Sequence, residues 1–362
     1  MMPMNVEQQA RGPRRLTREI EVGVVVIGRN EGERLRRCIE SIVPLAGRIV
    51  YVDSGSTDGS VGMARHHGAE VVELDTSIPF CAARARNAGY QRLAESHPQL
   101  SFVQFIDGDC EVIGNWLHIA AESLLNRPDH AIVAGWLREK SPEISIYNRL
   151  GDLEWNFAGT GEVDAVGGIF MIRREAFDSV GGFDSTVVAG EEPELCQRLI
   201  RKGWRLVRLD REMALHDLAM TRFGQWWRRT VRTGYGSMDV AHRFGIATFA
   251  QINWRARIWS AWLALLLAGG AVAGIAPDSS LVRLMVVLIF IVWPAQWLRI
   301  ALRTWRNGQT FRTSIAYAFF IMIAFLPQIV GQITYFSDRL RNRSFRLVEY
   351  KSAAPSGSKS HR

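Results

Sequence analysis

Cysteine is scarce in this 362-residue chain. The four present, Cys38, Cys81, Cys110 and Cys196, are far apart and form no CxxC pair. A disulfide framework and a zinc-ribbon type of site are therefore not expected, and the four read as reduced thiols in a core. No GxGxxG follows the first apolar run and no GxxxxGK[ST] occurs. These absences argue against a dinucleotide oxidoreductase and a P-loop nucleotidase. The net charge of +8 suits an anionic partner. Even so, no compact run of lysine and arginine with interleaved aromatics appears in the soluble part, so nucleic acid is not expected as that partner. The N-terminal MMPMNVEQQARGPRRLTREIEV has no apolar h-region and no secretory signal is expected there. Residues 1–18 read as a flexible basic arm.

Apolar residues make up 48% of the chain, unevenly distributed. Charges are scattered through the first 250 residues, whereas the segment from about 256 to 337 holds three long apolar stretches. VGVVVI (residues 22–27) is a continuous β-branched run, the pattern of a strand covered on both faces. In the following GRNEGERLRRCIESI, Leu35, Cys38, Ile39 and Ile42 recur at helical spacing. RIVYVDSGSTDGS predicts a second buried strand and a polar loop. A helix ended by Gly68, the strand EVVEL, the helix CAARARNAGYQRLAES and the strand FVQFI follow. Strands alternating with helices imply an α/β fold with a mostly parallel sheet flanked by helices.

Open sheets of this kind bind ligands beyond the carboxyl ends of their strands. Asn30 and Glu31 follow the first strand, Asp53 and Asp58 the second, Asp107 and Asp109 the fourth. One Asp-Gly turn is ordinarily only a turn. Three adjacent strand ends carrying such side chains form a pattern that suits a nucleotide and a cation.

In order and spacing, VVVIGRNEGERLRRCIESI, RIVYVDSGSTDGS, ARNAG, FIDGDCEV and GGFDSTVVAGEEPELCQRLIRKGWRL resemble glycosyltransferase family 2. The resemblance covers roughly residues 20–240. It implies the GT-A fold, Rossmann-like, over residues 19–250. It also implies inverting transfer of a sugar from a nucleotide-sugar donor. Asp107-Gly108-Asp109 sits where the family has its Asp-x-Asp motif. Asp109 is then the expected direct ligand of Mn²⁺ or Mg²⁺, with Asp107 contacting ribose or metal-bound water. Hard cations prefer such oxygen ligands and can neutralise a departing diphosphate. Asp53 resembles the residue that contacts the base, and Arg84 and Arg86 are expected near the base or diphosphate. Asn30-Glu31 matches the family's first loop, but Ile27-Gly28-Arg29 replaces the usual Pro-x-Tyr, so tyrosine contacts do not carry over.

Inverting transfer needs a base for the acceptor hydroxyl. Glu192 aligns with the family's acid, with its neighbour Glu191 as the rival. By themselves, acidic residues around Pro193 also suit the first turn of a helix. His216 matches a third metal ligand of related enzymes, although a lone histidine beside apolar residues equally serves a core. In RFGQWWRRTVRTGYG, Gln225 and Arg228 share a helix face with Arg229 and Arg232. The segment resembles the Gln-x-x-Arg-Trp motif of processive polysaccharide synthases, with Arg229 in place of the tryptophan. Gln225 and Arg228 are expected at the diphosphate, and the Trp-rich helix also suits a membrane surface.

The apolar end is similar to membrane-attached bacterial members that build surface polysaccharides. Residues 258–276 lack charge over 19 residues and are long enough to span. Residues 284–298 are bounded by Arg283 and Arg299, which can snorkel, giving a span at about 281–300. The arginine-rich RIALRTWRNGQTFR between the second and third stretches places it in the cytoplasm. The third stretch, 313–337, has 25 uncharged residues, yet spanning would export a basic tail. It is therefore expected to be interfacial or re-entrant, with a cytoplasmic tail at 338–362. The whole describes an enzyme on the inner membrane of a bacterial cell, its catalytic domain cytoplasmic. Its acceptor is expected to be a lipid-linked saccharide or polysaccharide. The alternatives are a processive synthase and a membrane scaffold with a degenerate transferase domain.

Overall fold

A computed structural model of the chain describes residues 22–156, 159–245, 254–275 and 278–341. The basic arm and most of the 338–362 tail lie outside the described residues. Two compact units divide the chain. The first takes in the described residues of 22–142 and 151–219, the second those of 143–150 and 220–341.

In the first unit the order is β1 (Val22–Gly28), α1 (Glu33–Ile42), β2 (Ile49–Asp53), α2 (Ser60–His66), β3 (Glu70–Glu73), α3 (Ala82–Ser96), β4 (Phe102–Asp107), β5 (Cys110–Val112) and α4 (Trp116–Leu125). Then follow β6 (His130–Glu139), α5 (Ile146–Asn156, at the division between the units), β7 (Gly161–Glu162), β8 (Phe170–Arg173), α6 (Arg174–Ser179), α7 (Glu191–Arg201) and β9 (Arg205–His216). One sheet runs β3-β2-β1-β4-β8-β6-β9-β5, with β7 on β9. The four strands read from sequence pair in parallel, β1 with both β2 and β4 and β2 with β3. Beyond β4 the sheet becomes mixed, since β8 runs antiparallel to β4 and to β6.

The β1 run is continuously apolar because both of its faces are covered. Val24 and Val26 join the cluster under α1 and α4, while Val25 and Ile27 join the opposite cluster with α3 and α7. Each such buried side chain is worth about 1.5–3 kcal/mol. Helix α3 seats tightly on that second face because Gly89 offers no Cβ, and one there would collide with Val25 and Val52.

In the second unit, α8 (Phe223–Phe244) is followed by α9 (Trp254–Ile275), α10 (Ser280–Arg306), α11 (Phe311–Ile323) and α12 (Phe325–Leu340). Helices α8 and α12 cross closely where glycines meet: a Cβ on Gly331 would strike the Val231 carbonyl, and one on Gly234 the Gln328 backbone. Trp226 is buried edge-on against Phe320, which also meets Tyr147. Three segments are long and apolar enough to cross a membrane: Arg257–Ile275, Ser280–Arg306 and Phe311–Leu340. The apolar windows of the first two are 0% buried within the protein and that of the third 39%. The third is broken at Ala324 into α11 and α12.

Candidate active site

The Asp107-Gly108-Asp109 turn is built by the sheet. The Gly108 amide donates to the Ile27 carbonyl at 2.8 Å, and a Cβ on Gly108 would stand 3.2 Å from that oxygen. The bare backbone thus lets β4 close onto the end of β1. After the turn, β5 pairs antiparallel with the end of β9, with Cys110 opposite His216. This register brings together residues more than a hundred positions apart: His216 Nε2 lies 3.2 Å from Asp109 Oδ2. Trp155 packs edge-on against the His216 ring. Asp109, Cys110 and His216 place ligand atoms within 4.8 Å of one another. Burial raises the Cys110 thiol well above its ordinary value. The Asp109 carboxylate is a hard oxygen donor and the His216 imidazole a borderline nitrogen donor, a pair that fits a divalent transition-metal cation such as Mn²⁺.

Asp107, on the other side of Gly108, belongs to a second cluster. Arg86 is 2% exposed. Its Nη2 donates to Asp107 Oδ1 at 3.0 Å and its Nη1 to Glu191 Oε1 at 2.9 Å. Glu192 Oε1 lies 3.1 Å from Nη1. Burial lowers the Arg86 pKa, but Glu192, Asp107 and Glu191 together more than offset this and raise it. Burial, then the neighbouring Glu191 charge, lifts Glu192 to about 7 against the pull of Arg86. Gly168 closes over the cluster. A Cβ there would be 2.6 Å from Arg86 Nη2, 3.0 Å from Asp107 Oδ2 and 3.1 Å from Glu192 Oε1. The Phe183 ring covers the guanidinium at 5.5 Å. Asn87 clamps the Phe183 backbone, its Nδ2 donating to the carbonyl at 2.8 Å and its Oδ1 accepting from the amide at 2.9 Å.

The remaining candidates separate. Glu31 lies beside the Asp-x-Asp turn, where its Cγ would touch a Cβ on Gly108 at 3.4 Å; it pairs with Arg34. Asn30 Oδ1 accepts from the Thr57 amide at 2.8 Å, which ties the first and second strand-end loops together. Asp53 is 2% exposed and accepts from Tyr51 Oη and from the Gly55 and Ser56 amides. Its carboxylate therefore organises the loop. Arg84 is engaged elsewhere, donating to the Ile78 and Asp75 carbonyls. Helical period separates the two arginines: Arg86 shares the buried face of α3 with Ala82, Gly89 and Leu93, and Arg84 does not. Glu194 is buried in an ion pair with Arg198. Gln225 and Arg228 are on α8 in the second unit, where Gln225 Oε1 accepts the Thr221 and Arg222 amides at the helix start and Arg228 is exposed.

Sequence reasoning missed Gly168, Asn87, Phe183 and Trp155. The Gly167-Gly168 pair was the available signal, since two glycines entering a strand mark a close backbone approach. It also missed Glu139, pushed up to about 6 by burial, which accepts the Leu218 and Ser141 amides and so fastens the segment after His216.

Fold and site define a GT-A-like α/β domain with an acidic strand-end site. The solved mannosyltransferase PcManGT of Pyrobaculum calidifontis, in complex with GDP-Man and Mn²⁺, superposes with a TM-score of 0.57 at 19% identity. The match covers 86% of this chain and 87% of that one. The family more particularly is glycosyltransferase family 2: residues 23–181 match "Glycosyl transferase family 2", and residues 152–326 match "Glycosyl transferase family group 2". The pre-mycofactocin glycosyltransferase of Mycobacterium tuberculosis is 32% identical over 241 residues, 62% of this chain. The chain spans about half, 48%, of that relative. The succinoglycan biosynthesis protein ExoA of Rhizobium meliloti is 24% identical over 336 residues, 81% of this chain and 96% of the relative.

Proposed function

We propose that the chain is a metal-dependent inverting glycosyltransferase. It moves a sugar from a nucleotide-diphosphate-sugar to a lipid-linked or polysaccharide acceptor at the cytoplasmic face of a bacterial inner membrane. The observation that carries this reading is the pairing of two clusters across one turn, Asp109 with His216 and Asp107 with Arg86, Glu191 and Glu192. The named ligands of the Pyrobaculum enzyme, GDP-Man and Mn²⁺, support the donor class and the cation. The Rhizobium relative's name supports a polysaccharide acceptor.

Glu192 is the base. Its side chain is 15% exposed, against 3% for Glu191, so Glu192 is the one an acceptor can reach. It takes the acceptor hydroxyl proton as that oxygen bonds to the anomeric carbon. The bond from that carbon to the β-phosphate oxygen breaks on the opposite face, and its electron pair leaves with the nucleoside diphosphate. Asp109 and His216, with Asp107 directly or through water, would hold a divalent cation. Such a cation neutralises charge developing on the departing diphosphate. Asn30, Glu31 and Asp53 shape the strand-end loops that receive the nucleotide.

Helices α9 and α10 are the two spans that keep the enzyme where a lipid-borne acceptor resides. The partial burial of the third stretch and its break at Ala324 support an interfacial or re-entrant placement. A C-terminal reporter active only outside the cell would sink that topology. For the activity, full-length protein is screened against nucleotide-sugars with Mn²⁺ or Mg²⁺ for nucleoside diphosphate release. Turnover of at least one donor is expected, with loss in Asp109→Ala and Glu192→Gln. If no donor is turned over and neither variant alters a cellular glycan, the degenerate-scaffold reading replaces this one.

A further inference from the structure

Arg86 is a buried cation placed among three carboxylates with two different duties. Its planar fork has two sides: Nη1 serves Glu191 and Glu192, and Nη2 serves Asp107. An ammonium is a point charge and does not divide itself in this way. The cluster is closed by Phe183 and by the bare Gly168 backbone. Among the described residues, Glu191 Oε2 and Arg86 Nε are buried without hydrogen-bond partners. One positive charge thus faces three carboxylates, and the same guanidinium that holds Glu191 and Glu192 through Nη1 holds Asp107 through Nη2.

From this we infer that Arg86 is a positioning residue that competes with the divalent cation for Asp107. This deepens the proposed function and rests on it for the roles of Asp107 and Glu192. In this structure Arg86 is divided between Asp107 and the two glutamates. Were Asp107 drawn to a bound cation, Nη2 would be released and the guanidinium would turn fully to Glu191 and Glu192, fixing the base carboxylate. The base carboxylate would then be held most firmly in the loaded enzyme.

The two effects of removing Arg86 carry opposite signs, which a merely structural residue would not produce. In full-length Arg86→Gln, Mn²⁺ titrated alone at pH 8 should bind several-fold more tightly, because its competitor and repelling charge are gone. In the same variant kcat should fall at least about 100-fold, since base positioning is lost. Arg86→Lys keeps the charge but not the fork, so Mn²⁺ affinity should stay within about twofold of wild type while kcat falls at least about tenfold. If Arg86→Gln does not fold, Glu191→Gln replaces it: relieved of one glutamate, Arg86 holds Asp107 harder and Mn²⁺ should bind more weakly. Unchanged or weaker Mn²⁺ binding in folded Arg86→Gln, full kcat in Arg86→Lys, or tighter binding in Glu191→Gln each overturns the inference. Should wild type turn over no nucleotide-sugar, the proposed function fails, while the cation titrations still decide whether Arg86 and metal compete.

Discussion

Replacing Glu192 by Gln is expected to remove activity and to stabilise the protein, the latter only at high pH. In the unfolded chain this carboxyl titrates at its ordinary 4.5; in the fold, burial and Glu191 lift it to about 7. Between those values the folded state keeps a proton that the unfolded state has lost, so stability falls as pH rises through this window. At about 1.4 kcal/mol per pH unit, ionising Glu192 in the fold costs about 3 kcal/mol by pH 8 and under about 1 kcal/mol at pH 5. The pull of the Arg86 ion pair at 3.1 Å is already included in that value, which leaves only the effect on Arg86 of losing a partner. Breaking a buried pair costs about 3–5 kcal/mol when it strands the partner. Arg86 is not stranded, because Glu191 remains at 2.9 Å and Asp107 at 3.0 Å, so relief of the buried charge wins. For a unit of this size about 2–4 °C accompanies each kcal/mol. Melting of the detergent-solubilised, metal-free protein should therefore show Glu192→Gln above wild type by about 6 °C or more at pH 8, with most of the gain gone at pH 5. Wild-type turnover should run the other way, rising with pH through about 7 as the base sheds its proton. An unchanged or lowered melting temperature at pH 8 would refute the reasoning and make the ion pair, not the desolvated charge, the dominant interaction.

Asp109→Ala should abolish the rise in melting temperature that Mn²⁺ gives wild type, because Asp109 and His216 form the expected cation pair. Retention of the full rise would move the cation elsewhere. Gly168→Ala puts a methyl 2.6 Å from Arg86 Nη2. Turnover should drop at least about tenfold for an overpacking strain of about 1–3 kcal/mol, read in steady-state kinetics beside an unchanged circular dichroism spectrum. Asp53→Asn deprives Tyr51, Gly55 and Ser56 of a charged acceptor and should cost about 1–3 kcal/mol in chemical denaturation. Gly331→Val collides with the Val231 carbonyl, and faster proteolysis of the second unit measures the loss of the α8–α12 crossing.

The sequence by itself determined the first half of the sheet and where along it the candidate site residues fall. VGVVVI has no polar face to offer solvent, and only a strand covered on both sides tolerates that. The polar residues after each such run then had to lie at strand ends. It also separated the soluble part from the apolar helices, because hydropathy is a local property. Only the tertiary structure decided which of those polar residues cooperate. The β5–β9 register brought His216 to Asp109 across more than a hundred residues, and no local pattern encodes a pairing partner. Arg84 and Arg86 looked equivalent in CAARARNAG, but one helical face is buried and the other is not, so only Arg86 reaches the carboxylates. Asp53 matched a ligand-binding motif, and the fold engages its oxygens in its own loop. Glu191 and Glu192 are chemically identical neighbours in the chain. Both pair with Arg86, and only burial distinguishes them, the Glu191 side chain being 3% exposed and that of Glu192 15%.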